Sequence, residues 1–214
     1  MNDQSDIQGK GVYAPDVIAF VKSANNYCKW LEEANDSSAL EFIRKSISML
    51  SNVYYRASLI EENEPVMEGG NEKFVTEKDW SSIFQKVLQL LDIHNDYLRI
   101  AETDEFDRSD LVPHKISEDL ADIYQDLKDF TLQYRQGIEE VMNDALWEVM
   151  DNFENYWSEK LLNALSALNK LYIKKIDPQS ELDPDDDDDT QGKQVPGYDN
   201  SFFTRLQDLN EEDI

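Results

Sequence analysis

Four aspartates in the middle of the chain recur at steps of three, four and three residues. Side chains at this spacing share one side of an α-helix. Carboxylates aligned in this way are ligands that Mg²⁺ and Mn²⁺ prefer, and a bound metal would support phosphoryl or pyrophosphate chemistry. The pattern therefore defines a candidate metal site, whose ligands would be Asp119, Asp122, Asp126 and Asp129.

A second interpretation gives these aspartates no chemistry. They alternate with apolar residues at helical spacing, so they also fit the solvated face of an amphipathic helix. The chain has 46 acidic and 20 basic residues, and acidic faces arise easily in such a composition. The solvated face is the favoured interpretation, and the opposite, buried face would contain Leu120, Ile123, Leu127 and Phe130. A sparser acidic group that could hold a second metal comprises Glu148, Asp151 and Glu154.

Other residues that could carry chemistry are scarce. Both histidines follow a leucine by three residues, where a di-iron bundle would have glutamate. Cys28 lies between Ala24 and Leu31 on an apolar stripe, which predicts a buried side chain and no nucleophile. Glycine-rich phosphate loops and the Gly-x-Ser-x-Gly elbow of hydrolases do not occur in the sequence. The sequence therefore favours a non-catalytic role and predicts no cofactor.

The elements that carry these residues are predicted to be helices. The chain has only seven glycines and six prolines, and apolar residues recur between them at steps of three and four. Pro15 suits the first turn of the first helix, and Ser38 with Glu41 forms a capping box for the second. Each helix is apolar along one stripe, so the stripes must meet in a shared core. The pattern predicts an all-α fold, an antiparallel bundle of about five helices.

The third and fourth helices are placed by the same reasoning. The third is predicted over residues 77–102 and would bury Leu98. Ser117 is predicted to cap the fourth. A single helix over residues 117–173 would be about 85 Å long, far longer than a domain of this size is wide. The sequence therefore predicts a break or sharp kink near Gly137.

The composition changes at residue 177. Residues 1–176 form the predicted bundle domain, of which residues 1–14 are expected to be flexible, and residues 177–214 form an acidic low-complexity tail. The tail is expected to be mostly irregular, because its run of aspartates repels itself and has nothing apolar to pack against. A short amphipathic segment follows this run. Together they predict a surface for a protein partner, formed by Asp185, Asp186, Asp187, Asp188, Asp189, Phe202, Phe203, Leu206 and Leu209.

Two segments of the predicted bundle carry a family resemblance. Residues 119–134 read Asp-Leu-Ala-Asp-Ile-Tyr-Gln-Asp-Leu-Lys-Asp-Phe-Thr-Leu-Gln-Tyr, and residues 153–171 contain the run Leu-Leu-Asn-Ala-Leu-Ser-Ala-Leu. In these segments the chain resembles an all-helical bacterial family, the domain of unknown function 5063. The likeness would cover about residues 17–172 and leave the acidic tail outside. The resemblance implies a helical fold and assigns no activity.

The net charge of −26 limits the possible partners. Direct binding to nucleic acid or to an anionic membrane is not expected, because phosphate groups are repelled by such a charge. The longest apolar run has five residues, whereas a membrane span needs roughly 20. With no secretory signal visible, the sequence predicts a cytoplasmic protein.

Three functional hypotheses follow from these observations. The favoured one is a protein-interaction module that binds a basic or amphipathic partner. The alternative is a divalent-metal-dependent all-α hydrolase, with a phosphate or nucleotide substrate at the four aspartates. The third is a nucleic-acid mimic that presents carboxylates to a DNA-binding protein in place of phosphates. The sequence leaves the oligomeric state open.

Overall fold

The computed structural model describes residues 11–34, 38–100, 111–176 and 178, and it confirms the all-α class. Within these residues five helices form the bundle, and a π-helical turn at Phe153–Trp157 divides the fifth into two segments. The segments are α1 (Pro15–Glu33), α2 (Ala39–Ala57), α3 (Glu77–Leu91), α4 (Ile116–Tyr134), α5 (Glu139–Asn152) and α6 (Ser158–Ile173). In these described ranges no helix is both long enough and apolar enough to cross a membrane.

Sequence signals at the helix starts act as predicted. Pro15 is the first residue of α1, where its fixed φ fits the first turn. Ser38 caps α2, because its hydroxyl accepts a hydrogen bond of 3.3 Å from the backbone N–H of Glu41. At the start of α3, Thr76 and Asp79 form a reciprocal capping box. These helix starts are therefore determined by local interactions.

The helix α4 lies in the middle of the bundle, because it packs against α1, α3, α5 and α6. Phe20 of α1 stacks on Phe130 of α4, with ring centroids 5.3 Å apart. The hydroxyl of Tyr27 donates a hydrogen bond of 2.9 Å to the carbonyl oxygen of Leu120. Cys28 is 1% exposed, as predicted, and burial raises the pKa of its thiol far above the usual value. The thiol is therefore part of the core and does not form a reactive thiolate.

The predicted third helix over residues 77–102 is wrong beyond Leu91. The helix α3 ends at that residue, and Asp92 takes a left-handed backbone conformation with φ of 45°. After a short 3₁₀ turn the chain forms strand β1 (Asp96–Ile100), which pairs in antiparallel register with strand β2 (Leu111–Lys115). A small hairpin therefore replaces the last turns of the predicted helix.

The side chain of Leu98 shows why the helical pattern misled. It continues the three- and four-residue spacing of α3, and yet it is 60% exposed in β1. Asp92, Asn95 and Asp96 are poor helix formers, because their side chains compete with the helical backbone for hydrogen bonds. Apolar spacing alone does not outweigh this local preference.

Asn95 caps α4, a role that the sequence assigned to Ser117. The backbone N–H of Ile116 donates to the carbonyl oxygen of Asn95, and the N–H of Ser117 donates to Asn95 Oδ1, both at 2.9 Å. Ser117 lies inside the helix, and its hydroxyl is buried without a hydrogen-bond partner in the described part of the chain. The prediction of Ser117 as the cap is therefore wrong, since the capping side chain lies 22 positions earlier.

Replacing Asn95 with alanine is expected to lower the free energy of unfolding by about 1–2 kcal/mol, because a buried helix N-terminus loses its acceptor. Urea unfolding followed by circular dichroism measures this change. Asn155→Ala is the matched control, because that exposed asparagine bonds only to Asp151 one turn earlier. A loss in Asn95→Ala no larger than in the control would contradict the capping role.

The break predicted near Gly137 is confirmed. The helix α4 ends at Tyr134 and α5 begins at Glu139. Gly137 has φ of 72°, a left-handed conformation that glycine adopts without the steric penalty of a side chain. The chain reverses here, and α5 packs back against α4.

The π turn explains an unusual apolar pattern in the fifth helix. A step of four residues advances an α-helix by about 400°, so a stripe with only such steps drifts around the helix by roughly 40° each time. A π turn holds more residues than an α turn and corrects this drift. Val149, Trp157 and Leu161 are consequently all buried. The residues at four-residue steps are Ala145, Val149, Phe153, Trp157 and Leu161.

Candidate functional site

The four aspartates of α4 lie along one side of the helix, as their spacing predicts, and that side faces other parts of the protein. Asp119 and Asp129 are 1% and 2% exposed, respectively. The interpretation of the stripe as a solvated face is therefore wrong. Its physical reason is that α4 packs against four other helical segments, so the side away from the apolar stripe also meets protein.

Asp122 connects three elements to α4. Its Oδ1 accepts a hydrogen bond of 2.7 Å from Nε1 of Trp80 in α3. Its Oδ2 accepts one from the hydroxyl of Tyr156 in the π turn and pairs with the ammonium of Lys160 in α6, each at 2.8 Å. Burial lowers the pKa of Lys160, and the hydrogen bond and charge of Asp122 more than offset this, so that pKa lies above its usual value. Asp122 is therefore an ionised anchor and no longer a free ligand.

Asp119 lies one turn before Asp122. Its Oδ2 accepts a hydrogen bond of 2.5 Å from the hydroxyl of Tyr97 in β1, and its Oδ1 lies 3.9 Å from Nζ of Lys160. Burial raises the pKa of Asp119 to about 7, although the Tyr97 hydrogen bond and the charge of Lys160 oppose the rise. This carboxyl group therefore changes its charge near neutral pH.

The last two aspartates of the stripe have different surroundings. Oδ1 of Asp129 accepts hydrogen bonds from the backbone N–H groups of Phe74 and Val75, at 2.8 and 2.9 Å, and so fixes the chain before α3. Oδ1 of Asp126 accepts one of 3.1 Å from Asn152. Oδ2 of Asp126 is buried without a hydrogen-bond partner in the described residues, and burial raises the pKa of this carboxyl to about 6.

The second acidic group from the sequence is divided among separate contacts. Glu148 accepts hydrogen bonds from the side chains of Asn71 and Lys73, at 3.0 and 2.8 Å. Asp151 accepts one from a side chain one turn further along the helix, and Glu154 is exposed. These three carboxylates do not share a partner in the part of the chain that the structure describes.

The carboxylates therefore act as anchors in this structure. Over residues 11–34, 38–100 and 111–176, no three histidine, cysteine, aspartate or glutamate side chains are grouped so that they could hold one metal ion. Sequence reasoning missed the partners Tyr97, Tyr156 and Lys160, which come from elements far from α4 along the chain. One signal was available, because Tyr156 and Lys160 are four residues apart and share a helix face.

The inner face of the hairpin is fixed to the helices. Tyr97, Arg99 and His114 lie on this face, because directly opposed residues of antiparallel strands point to the same side. Tyr97 donates to Asp119 of α4, and Arg99 forms an ion pair with Glu159 of α6. These two contacts hold the hairpin in one position on the bundle.

The outer face of the hairpin is apolar and exposed. Leu98 lies directly opposite Pro113, and Leu111 is the diagonal neighbour of Leu98 on the same face. Leu98 and Leu111 are each 60% exposed. This face points away from the helices, and no contact with the described residues covers it.

Comparison with known proteins agrees with this fold. A family model described as a domain of unknown function, DUF5063, matches residues 12–174. The chain belongs to the DUF5063 family. The matched range includes all the helices described above and both strands of the hairpin.

A solved structure supports the same relationship. The crystal structure of protein BF1032 from Bacteroides fragilis is 32% identical to this chain and superposes with a TM-score of 0.68. The comparison covers 75% of this chain and 94% of that one. No curated protein matches the chain. The DUF5063 fold therefore comes without an activity attached.

The tail residues predicted to meet a partner lie beyond the DUF5063 match, which ends at residue 174. They also lie outside the described residues. These residues are Asp185, Asp186, Asp187, Asp188, Asp189, Phe202, Phe203, Leu206 and Leu209.

Proposed function

We propose that this chain is a non-catalytic protein-interaction module that binds a basic, amphipathic segment of a partner protein. The observation that carries the proposal is the outer face of the hairpin, where Leu98 and Leu111 are each 60% exposed. Neighbouring large apolar side chains in water commonly mark a surface that a partner covers. The hairpin thus adds a binding surface to the one predicted in the tail.

The way in which the hairpin is held supports this role. Tyr97 and Arg99 fix its inner face to α4 and α6, so its outer face is already in place before a partner arrives. A preorganised surface loses less conformational entropy on binding than a mobile one.

The charge of the chain favours a basic partner. Residues 101–110, which join the two strands, contain five acidic residues and one arginine. A second copy of this chain would bring another net charge of −26, so like-charge repulsion disfavours self-association. A segment with leucines on one face and lysines on the other would complement both the apolar hairpin and this acidic connection.

Synthetic peptides test the proposal by fluorescence polarisation. We expect saturable binding of a leucine–lysine amphipathic peptide of about 18 residues, or five helical turns. The affinity is expected to fall as salt rises from about 50 to 500 mM, because salt screens the charges. The same peptide with glutamate in place of lysine is expected not to bind. Equal binding of the two peptides would contradict the proposal.

Variants locate the binding surface. The double variant Leu98→Ser, Leu111→Ser is expected to weaken binding by about tenfold or more, because it removes the apolar contact. Ile173→Ser is the matched control, since Ile173 is 68% exposed at the other end of α6 from the hairpin. Unchanged affinity in the double variant would remove the hairpin from the proposal. Asparagine at residues 185–189 tests the contribution of the tail separately.

The other two hypotheses stay predictions. A divalent-metal hydrolase would require Asp119, Asp122, Asp126 and Asp129 to exchange protein donors for a metal ion. A nucleic-acid mimic would require rows of exposed carboxylates, and two of these four are buried. No observation on the described residues favours either hypothesis over the interaction module.

A further inference from the structure

A cavity of about 180 Å³ lies between the inner face of the hairpin and the start of α6. The helix α4 and the π turn complete its walls. Because the hairpin has two faces, this cavity is separate from the outer surface proposed above. Its lining side chains are Tyr97, Arg99, His114, Asp119, Asn155, Tyr156, Glu159, Lys160 and Asn163.

The lining contains donors that the protein itself does not fully use. The guanidinium of Arg99 pairs with Glu159 through Nη1, while its Nε is buried without a hydrogen-bond partner in the described residues. Such an orphaned buried N–H is unfavourable and calls for an acceptor. The ammonium of Lys160 has three N–H groups, and one of them is directed to Asp122 at 2.8 Å.

The charges around the cavity favour an anion over a cation. The negative charges of Glu159 and Asp122 are already paired with Arg99 and Lys160. The buried Asp119 has a pKa of about 7, so near neutral pH much of it is uncharged and can donate a proton to an acceptor. Charges elsewhere on the protein act weakly here, because salt screens them beyond roughly 8 Å.

We propose that this cavity binds a small monocarboxylate, with Arg99 Nε and Lys160 Nζ as its hydrogen-bond donors. The cavity has the volume of about six water molecules, at roughly 30 Å³ for each, and this matches a ligand of acetate to propionate size. A carboxylate accepts the charge-assisted hydrogen bonds that guanidinium and ammonium groups form best. The π turn is consistent with this role, since such turns occur frequently at functional sites.

Titration of the full-length protein with sodium acetate, followed by the chemical shifts of ¹⁵N-labelled backbone amides, tests the proposal. We expect saturable shifts at residues of the hairpin and of α6. Methylammonium chloride at the same ionic strength is expected to give none. Linear shifts without saturation, or stronger binding of methylammonium than of acetate, would overturn the proposal. Tighter binding of inorganic phosphate than of acetate would overturn the assignment to a carboxylate.

Two variants test the donors. Arg99→Lys keeps the positive charge near Glu159 and lacks Nε, so it is expected to weaken acetate binding by about tenfold. Lys115→Ala is the matched control, because Lys115 is exposed on the outer face of the hairpin. Asp119→Asn is expected to abolish the fall in acetate affinity between about pH 6 and pH 8. Parent-like affinity in Arg99→Lys would overturn the role of Arg99 Nε.

Discussion

The Asp122→Ala variant is expected to lose about 3 kcal/mol of unfolding free energy, because removing one partner of a buried ion pair strands the other charge. Three donors from three elements, Trp80, Tyr156 and Lys160, lose their common acceptor. The expected value is at the low end for buried pairs, since the side chains of Asp122 and Lys160 are 14% and 20% exposed. Urea unfolding at neutral pH measures the loss.

A conservative variant separates the charge of Asp122 from its hydrogen bonds. Asp122→Asn keeps one acceptor oxygen and removes the charge, so its stability is expected to lie between those of the parent and Asp122→Ala. Asp151→Ala is the control, because Asp151 is an exposed carboxylate of the same protein. If Asp122→Ala lost no more stability than Asp151→Ala, the anchoring role of Asp122 would be wrong.

The second large effect is a gain in stability. Asp119→Asn is expected to stabilise the protein at about pH 8 by up to about 4 kcal/mol, because asparagine removes the penalty for burying an ionised carboxyl group. The carboxamide oxygen can still accept the hydrogen bond from Tyr97. The gain is expected to shrink as the pH falls.

The direction of this pH dependence follows from two pKa values. In the unfolded chain the carboxyl of Asp119 titrates near its ordinary pKa of about 3.9. In the folded protein its pKa is about 7. Between these values the folded state holds a proton that the unfolded state has released, so stability falls as the pH rises from about 4 to 7. Above about 7 the loss is complete.

Urea unfolding at about pH 5 and pH 8 gives the test, since the two values lie on either side of the folded-state pKa. Asp151→Asn serves as the control, because its carboxylate is exposed and bonded within its own helix. The difference in stability between Asp119→Asn and the parent should be larger at the higher pH. A difference that did not change with pH would show that the buried charge carries no penalty.

The sequence predicted the helices where local signals decide. Pro15, Ser38 and Gly137 mark helix boundaries through backbone geometry and capping, and the structure places boundaries at or near all three. The hairpin could not be predicted in this way. It depends on the bonds of Asn95 to the start of α4, and a contact over 22 residues leaves no mark in the apolar spacing.

The candidate site was predicted only in part. The spacing of Asp119, Asp122, Asp126 and Asp129 correctly predicted one shared side of a helix. It could not predict whether that side meets water, because the answer depends on which helices pack around α4. The binding cavity was out of reach, since Arg99 and Lys160 meet only through the fold.

The π turn makes the length of the chain at this point as important as its composition. It places one residue more between α5 and α6 than an uninterrupted α-helix would hold. Each residue of an α-helix rotates the next side chain by about 100°, so loss of one residue here would rotate α6 about its axis by that angle. Lys160 would then swing away from Asp122 even if both side chains were kept. Evolution is thus freer to exchange amino acids in this turn than to delete a codon from it.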